Sequence, residues 1–544
     1  MGHPSSNGRP ARVLPVWTRA NVARLVLNGD ALFIRHGLVI RVPSGWLDKH
    51  PGGSLSILHC VGRDVSNETD AFHSDSVQAL MDKYAVARVE LGDNGWAPLV
   101  PPFASGWLRR GGRWTRIATA VREGSEILLF ADRPGPDVAQ DGPTPDDLEP
   151  APSPLDAREQ HRLSLGYQEL HKRVQDAGLY QTRYLAGYGP EIVRYILLAT
   201  LSALAYRSGW FLTSAVFLGC LWHQLSFTVH DLGHMGVTHS WALDRILGVL
   251  IADVMGGLSV GWWVDNHNVH HIVTNHPSHD PDIEHIPFFA ISTHFLRSLH
   301  SSYYNHTMWF DTPARILLAL QDKLFYIVMA FARFNLAANS YGFLWRTRPF
   351  LNSGMQKDVL RGTTARRWLF AWTAEVVCII VFWNWYSRVL IGTGSWRMAL
   401  LSLVISNVVA SPLHVQIVLS HFSRSTKDLG PLESFPHKQL RTTVDVACPD
   451  WLAFFHGGLH LQVTHHFFPR LPRHNLRAAS KLVKAFAAEH GLEYAEFGFA
   501  AGNVDVLSVL RDVANQVAFV GKVAQAEVDE ALAKVRSDVI TSRN

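Results

Sequence analysis

The chain has 544 residues, is 47% hydrophobic and carries a formal net charge of +4. That length allows two or three domains, a mean hydropathy near zero joins soluble to membrane-embedded parts, and the charge is too weak to point to nucleic acid. The four cysteines, Cys60, Cys220, Cys378 and Cys448, lack C-x-x-C pairing, which argues against a disulfide framework or a thiolate zinc site and fits a reducing compartment.

The first 30 residues hold no long apolar run, so no cleavable signal peptide is expected and the N-terminus should begin in the cytosol. Residues 12–100 are mixed enough for a small soluble domain, in which 36-HGLVIRVP-43 alternates like a short strand. Within it, 47-LDKHPGG-53 and 62-GRDVSNETDAFHS-74 place His50 and His73 at loop or helix edges. The two glycines let the backbone turn beside a flat ligand. Two axial imidazoles, His50 and His73, would give a six-coordinate haem that transfers electrons; His59 is a rival second ligand. Residues 132–156 contain seven prolines and seven acidic residues, a composition that reads as a disordered tether.

From Glu191 the character changes. Residues 191–227 are apolar apart from a break at Arg207–Gly209, which predicts two membrane spans joined by a tight turn. A second pair is predicted at 368–386 and 396–419. The apolar runs at 246–263 and 315–345 are interrupted by Gly, Asp, Lys or Arg and predict interfacial or re-entrant helices. Four spans with a cytosolic N-terminus put residues 228–365 and 420–544 in the cytosol, and both stretches are rich in Lys and Arg. Beyond residue 500 a charged tail is expected, with an amphipathic helix over 522–537.

The 29 histidines are not spread evenly. They cluster in 230-HDLGH-234, 267-HNVHH-271 and 462-QVTHH-466, with His421 where the last span leaves the membrane. Spacings of three and four put the imidazoles of each cluster on one helix face, and every cluster falls on the same predicted side. Such a set, without cysteine, suits iron or zinc, and eight imidazoles exceed one ion's capacity, so two ions are expected. His239, His276, His279, His285 and His294 are assigned outer hydrogen-bonding or solvated roles.

With these motifs in view, residues 12–92 resemble a cytochrome b5-like domain through H-P-G-G, G-R-D-V and A-F-H. Residues 190–480 look like a membrane fatty-acid desaturase with three histidine boxes. The first residue of the third box, Gln462, is the one found in the cytochrome b5-fused, front-end branch. The segments 230-HDLGHMGVTH-239, 261-GWWVDNHNVHHIVTN-275, 280-DPDIEHIPFF-289 and 455-FHGGLHLQVTHHFFPRLPRHNL-476 are similar to fungal-type sphingolipid Δ8-desaturases. The resemblance implies a small α+β cytochrome b5-like domain (12–92), a connecting region (93–180), an all-α four-span membrane desaturase domain with a cytosolic histidine-box cap (190–480) and a C-terminal tail (481–544). It implies haem b on His50 and His73. It also implies two non-haem irons on His230, His234, His267, His270, His271, His421, His465 and His466, with Gln462 as a ligand or a hydrogen-bonding neighbour. The implied reaction uses O2 and electrons from NADH, passed through a cytochrome b5 reductase, to desaturate a ceramide long-chain base at the endoplasmic reticulum membrane. A Δ6- or Δ5-type acyl desaturase and a di-iron lipid hydroxylase are the alternatives within the chemistry; an electron carrier or a His-lined metal transporter is the alternative outside it. Trp262–Trp263 and Phe467–Phe468 are candidates for shaping a lipid tunnel, and Asp48, Asp64, Glu68, Asp70 and Asp75 for steering the reductase.

Overall fold

Helix α1 (Arg19–Leu27) starts the first unit, its N-terminus closed by a capping box between Thr18 and Asn21. Val22 and Val26, four residues apart, bury its inner face. Strands β1 (Ala31–Arg35), β2 (Leu38–Val42) and β3 (Ala85–Arg88) form an antiparallel sheet in that order. Only His36 and Gly37 separate β1 from β2, with φ of 46° and 72°, the positive values that a two-residue hairpin needs. Helices α2 (Ser54–Leu58), α3 (Ser66–Phe72) and α4 (Asp75–Asp82) close the unit, an α+β arrangement as the sequence predicts. The computed structural model describes residues 13–47, 50–110, 112–116, 142–348 and 365–541.

The proline-rich stretch behaves differently from expectation. Residues 132–141 lie outside the described residues, but 142–156 are ordered. Leu148 is buried against Val22, Val26 and Leu99, Val100 N–H donates to its carbonyl at 2.9 Å, and Arg19 pairs with Glu149 at 2.7 Å. Proline lowers the entropy lost on ordering, so one apolar anchor and a few polar contacts suffice to fix a segment whose composition alone reads as loose. Helix α5 (Ala157–Asp176) follows. Its Tyr167, Leu170 and Val174 bury against Phe467, Phe468 and Val483, which ties the first unit to the second.

In the second unit, α6 (Gly189–Arg207) and α7 (Phe211–Gly233) pack along each other across a turn at Gly209, whose φ is 76°. Helix α8 (Trp241–Gly248) and the π-helical turn Val249–Met255 meet α9 (Val260–Ile272) at a bend of 115°, as a re-entrant element would. The 315–345 run becomes three short helices, with α10 (Gln321–Ala330) and α11 (Ala332–Arg346) separated at Phe331. Helix α12 (Ala365–Ile391) is followed by α13 (Trp396–Ala410) and α14 (Pro412–Leu419); Pro412 divides the last two because it offers no N–H to the helix ladder. Among the described residues, three helices are long and apolar enough to cross a membrane: Phe211–Gly233, Leu369–Ile391 and Trp396–Leu419. Helix α6, expected as a fourth, carries Glu191, Arg194 and Arg207.

Helices α15 (Phe435–Thr442), α16 (Gln462–Phe467) and α17 (Leu476–Glu489) follow, and Gln439 of α15 donates to the His271 carbonyl of α9 at 3.0 Å. The stretch read as a tail is a single helix, α18 (Phe499–Thr541). Val506, Leu510, Val513 and Val517, spaced by four, three and four, bury in one core with Phe289, Phe325 and Phe422. Its first half therefore belongs to the body of the second unit.

Candidate metal centre and haem pocket

Each histidine box sits on a helix or at its end. His230 lies on the last turn of α7 and His234 caps it; His267, His270 and His271 share α9; His465 and His466 share α16; His421 follows α14. The fold gathers them into two groups, His230 with His234, His267 and His465, and His270 with His421 and His466. Within each group the candidate ligand atoms lie within 4.8 Å of one another. His271 stands between the groups. Its Nε2 is 3.2 Å from His267 Nε2 and 3.1 Å from His465 Nε2, and its ring centre is 4.2 Å from that of His466. Gln462 is buried beside the second group, its amide nitrogen 3.4 Å from His421 Nε2.

The surroundings fit metal ions. His270 Nδ1 lies 2.9 Å from Asp280, His267 Nδ1 3.2 Å from Asp282, His466 Nδ1 2.9 Å from Gln439 Oε1 and His421 Nδ1 3.2 Å from the Thr442 carbonyl. An imidazole that donates from Nδ1 keeps its Nε2 lone pair for a cation. The Nε2 atoms of His230, His234 and His466 are buried without a hydrogen-bond partner, which costs about 1–3 kcal/mol apiece when nothing binds them. Burial, then neighbouring histidines, holds His234, His421 and His466 well below the usual imidazole range, and His465 likewise. Neutral imidazoles are the form that ligates.

Asp280, Asp282 and Gln439 carry no role in the sequence reading. The only signal was the D-P-D string after the second box. Asn275, with φ of 59°, turns the chain there, so that its N–H donates to Asp280 at 2.7 Å and its side chain to the His421 carbonyl at 2.9 Å. Neither metal group includes His239, His276, His279, His285 or His294.

A cavity of about 740 Å³ reaches the first group, lined by His230, His267, Trp262, Trp263, Leu225 and Gln462 among others. Both tryptophans of the pair thus line it. Phe467 and Phe468 do not; both are fully buried against Tyr167, whose hydroxyl donates to the Phe467 carbonyl at 2.7 Å.

The second cavity, of about 300 Å³, lies between His50 and His73 with Phe33, Ile40, Val65 and Leu80 on its walls. His50 Nδ1 is bound to the Gly53 carbonyl at 2.9 Å and His73 Nδ1 to that of Thr69 at 3.2 Å. The ring centres are 6.0 Å apart. An iron bonded to both at about 2 Å asks for a separation of about 6 Å, so the pair fits a haem iron. Burial lowers His73 to about 3 and His50 below its ordinary value. His59 faces elsewhere, its ring 4.9 Å from both Phe103 and His279.

The haem cavity is not closed by the first unit alone. Leu232, His234, Trp241, Asn268 and Ile272 of the second unit also line it, so His234 belongs to both sites. Phe72, next to His73, stands edge-on to His271 with ring centres 5.7 Å apart. Gly53, with φ of 83°, sits so close to α9 that a Cβ there would collide with the Asp265 carboxylate, which explains the second glycine of H-P-G-G. The acidic residues suggested for steering are largely engaged. Glu68 and Asp70 are buried and paired with Arg63 and Arg35, Asp64 accepts from Ser66, Asp75 is exposed, and Asp48 lies outside the described residues.

Residues 208–498 match the family described as fatty acid desaturase, and residues 18–90 match the cytochrome b5-like heme/steroid binding domain. The chain is 40% identical over 538 residues to a Delta 8-(E)-sphingolipid desaturase of Emericella nidulans, covering 92% of this chain and 94% of that one. It is 38% identical to a protein of the same description from Komagataella phaffii, with the same coverage. It is also 29% identical over 492 residues to a Delta(8)-fatty-acid desaturase 2 of Arabidopsis thaliana, covering 90% and 91% of the two chains. The chain belongs to the fatty acid desaturase family and carries a fused cytochrome b5-like domain ahead of its membrane helices.

Proposed function

We propose that the chain is an O2-dependent oxidoreductase that introduces a double bond at carbon 8 of the long-chain base of a ceramide, drawing electrons from NADH through a cytochrome b5 reductase and its own haem. The observation that carries this reading is the pair of neighbouring histidine groups, the first of which opens on the larger cavity and shares His234 with the haem cavity. The relatives' descriptions over nearly the whole chain support the substrate.

When bound, two irons would supply the oxygen chemistry that takes two hydrogens from adjacent carbons, and haem b would supply single electrons. His230, His234, His267 and His465 would hold one iron and His270, His421 and His466 the other; His271 stands between the two histidine groups. Gln462 ligates or hydrogen-bonds beside His421. Asp280, Asp282 and Gln439 fix ring orientation and tautomer by accepting from Nδ1. Trp262 and Trp263 hold the lipid chain against the first group and keep water from it. His50 and His73 hold the haem.

Helix α6 serves as the fourth span. Its exposed Ile192, Val193, Ile196, Leu197 and Leu204 form a face suited to lipid. Four spans and a cytosolic N-terminus put both metal sites at the cytosolic face of the endoplasmic reticulum membrane. In this reading a haem domain at 12–92 and a connecting region at 93–180 precede a membrane domain that runs past residue 480 to take in α17 and the first half of α18.

Asp280→Asn is expected to weaken metal retention by about 10- to 100-fold with the haem spectrum unchanged. Iron per chain after dialysis against a chelator measures this; undiminished retention would remove Asp280 from its supporting role.

The function itself is tested in a yeast that makes no unsaturated long-chain bases. Mass spectrometry should find a long-chain base lighter by two hydrogens, with the bond at carbon 8. Unchanged bases beside a new polyunsaturated acyl chain would move the chain to the acyl front-end desaturases, and a base heavier by one oxygen would make it a hydroxylase.

A further inference from the structure

Three arginines line the haem cavity, and two already have anions. Arg41 pairs with Asp30 at 2.7 Å and Arg245 with Glu375 at 3.3 Å. The third, Arg470, lies four residues beyond the third histidine box and has no ion pair or hydrogen bond from its side chain to any described residue. It is only 9% exposed, and its Nε is buried without a partner. Its guanidinium carbon lies 5.7 Å from the Tyr180 ring, and the exposed Asp75 carboxylate acts on it without an ion pair or hydrogen bond. The carboxylates on the cavity wall are spent: Glu68 binds Arg63, and Asp244 accepts from Thr238. An Nε–H buried without an acceptor costs about 1–3 kcal/mol, which an anion bound in this cavity would relieve.

Haem b carries two carboxylates on one edge of its ring. When His50 and His73 occupy both faces of the iron, that edge is what remains for further recognition. Arg470 comes from the membrane domain, beside His234: a Cβ on Gly236, two residues past His234, would stand 3.5 Å from the Arg470 carbonyl oxygen. We propose that Arg470 receives a haem carboxylate, so that the haem is gripped by both domains and its edge is fixed against the metal centre. Arginine's planar fork suits a carboxylate, with two parallel N–H donors. This rests on the reading that the His50–His73 cavity holds haem.

The test is the rate at which the full-length protein, in detergent or nanodiscs, loses haem to an excess of apomyoglobin, followed in the Soret band. Arg470→Gln should speed the loss by about 10- to 100-fold, the worth of a charged hydrogen bond, and Arg470→Lys should restore part of it. Wild-type protein loaded with haem dimethyl ester should lose it as fast as the Gln variant loses haem, and esterification should add little in that variant. If wild-type protein holds ester and acid equally, or if the variant loses both forms faster by the same factor, Arg470 acts only through packing and the proposal falls. The ester comparison in the wild type decides the matter even if the Gln variant does not fold. Absence of any bis-histidine haem spectrum in the intact protein would instead bring down the haem reading itself.

Discussion

Replacing His465 by alanine is expected to abolish the unsaturated lipid product while leaving the haem spectrum unchanged. His465 is fully embedded in the first histidine group. Its ring centre is 4.4 Å from that of His230 and 4.9 Å from that of His234, and its Nε2 is 3.1 Å from His271 Nε2. Its removal takes one donor of four and opens a void that water can enter. The loss should exceed the roughly 10- to 100-fold penalty for removing an outer hydrogen-bonding partner, which in a product assay means background. His465 does not line the haem cavity, so the Soret band per chain should stay. Lipid mass spectrometry, iron content and the visible spectrum are read on one preparation. A variant that keeps iron and product would refute the assignment of His465 as a ligand.

His50→Ala is expected to do the reverse, erasing the haem spectrum and NADH-supported product while iron stays bound. His50 and His73 face each other across the cavity, and His59 is turned toward Phe103 and His279. Adding a separate soluble haem donor should rescue poorly, since the emptied domain still covers the wall formed by Leu232, His234 and Asn268. A spectrum that survives His50→Ala but vanishes in His59→Ala would transfer the ligand role to His59.

The histidine boxes were legible because helical spacing fixes a face, and a face is a local property. His271 was placed among the ligands by the same rule, and it stands between the two groups. Asp280, Asp282 and Gln439 were not legible, because nothing local says that a carboxylate ten residues past His270 will turn back onto its ring. That depends on Asn275 adopting positive φ and on α15 packing over α9. The haem domain could be read from H-P-G-G and A-F-H, but its contact with the membrane domain could not. Gly53 beside Asp265 and Phe72 beside His271 are meetings of segments about 200 residues apart. Composition misled at 142–156, where Leu148 supplies an anchor that a count of prolines and acids does not weigh. In the tail, the spacing of Val506, Leu510, Val513 and Val517 was visible, but its partners Phe289, Phe325 and Phe422 are distant in sequence.

A cavity walled by two domains also makes its occupant part of their interface. Leu232, His234 and Ile272 of one domain stand across from His50 and His73 of the other. A ligand that binds only the docked arrangement stabilises that arrangement by mass action. Haem held there would therefore act as a fastener between the domains as well as an electron carrier.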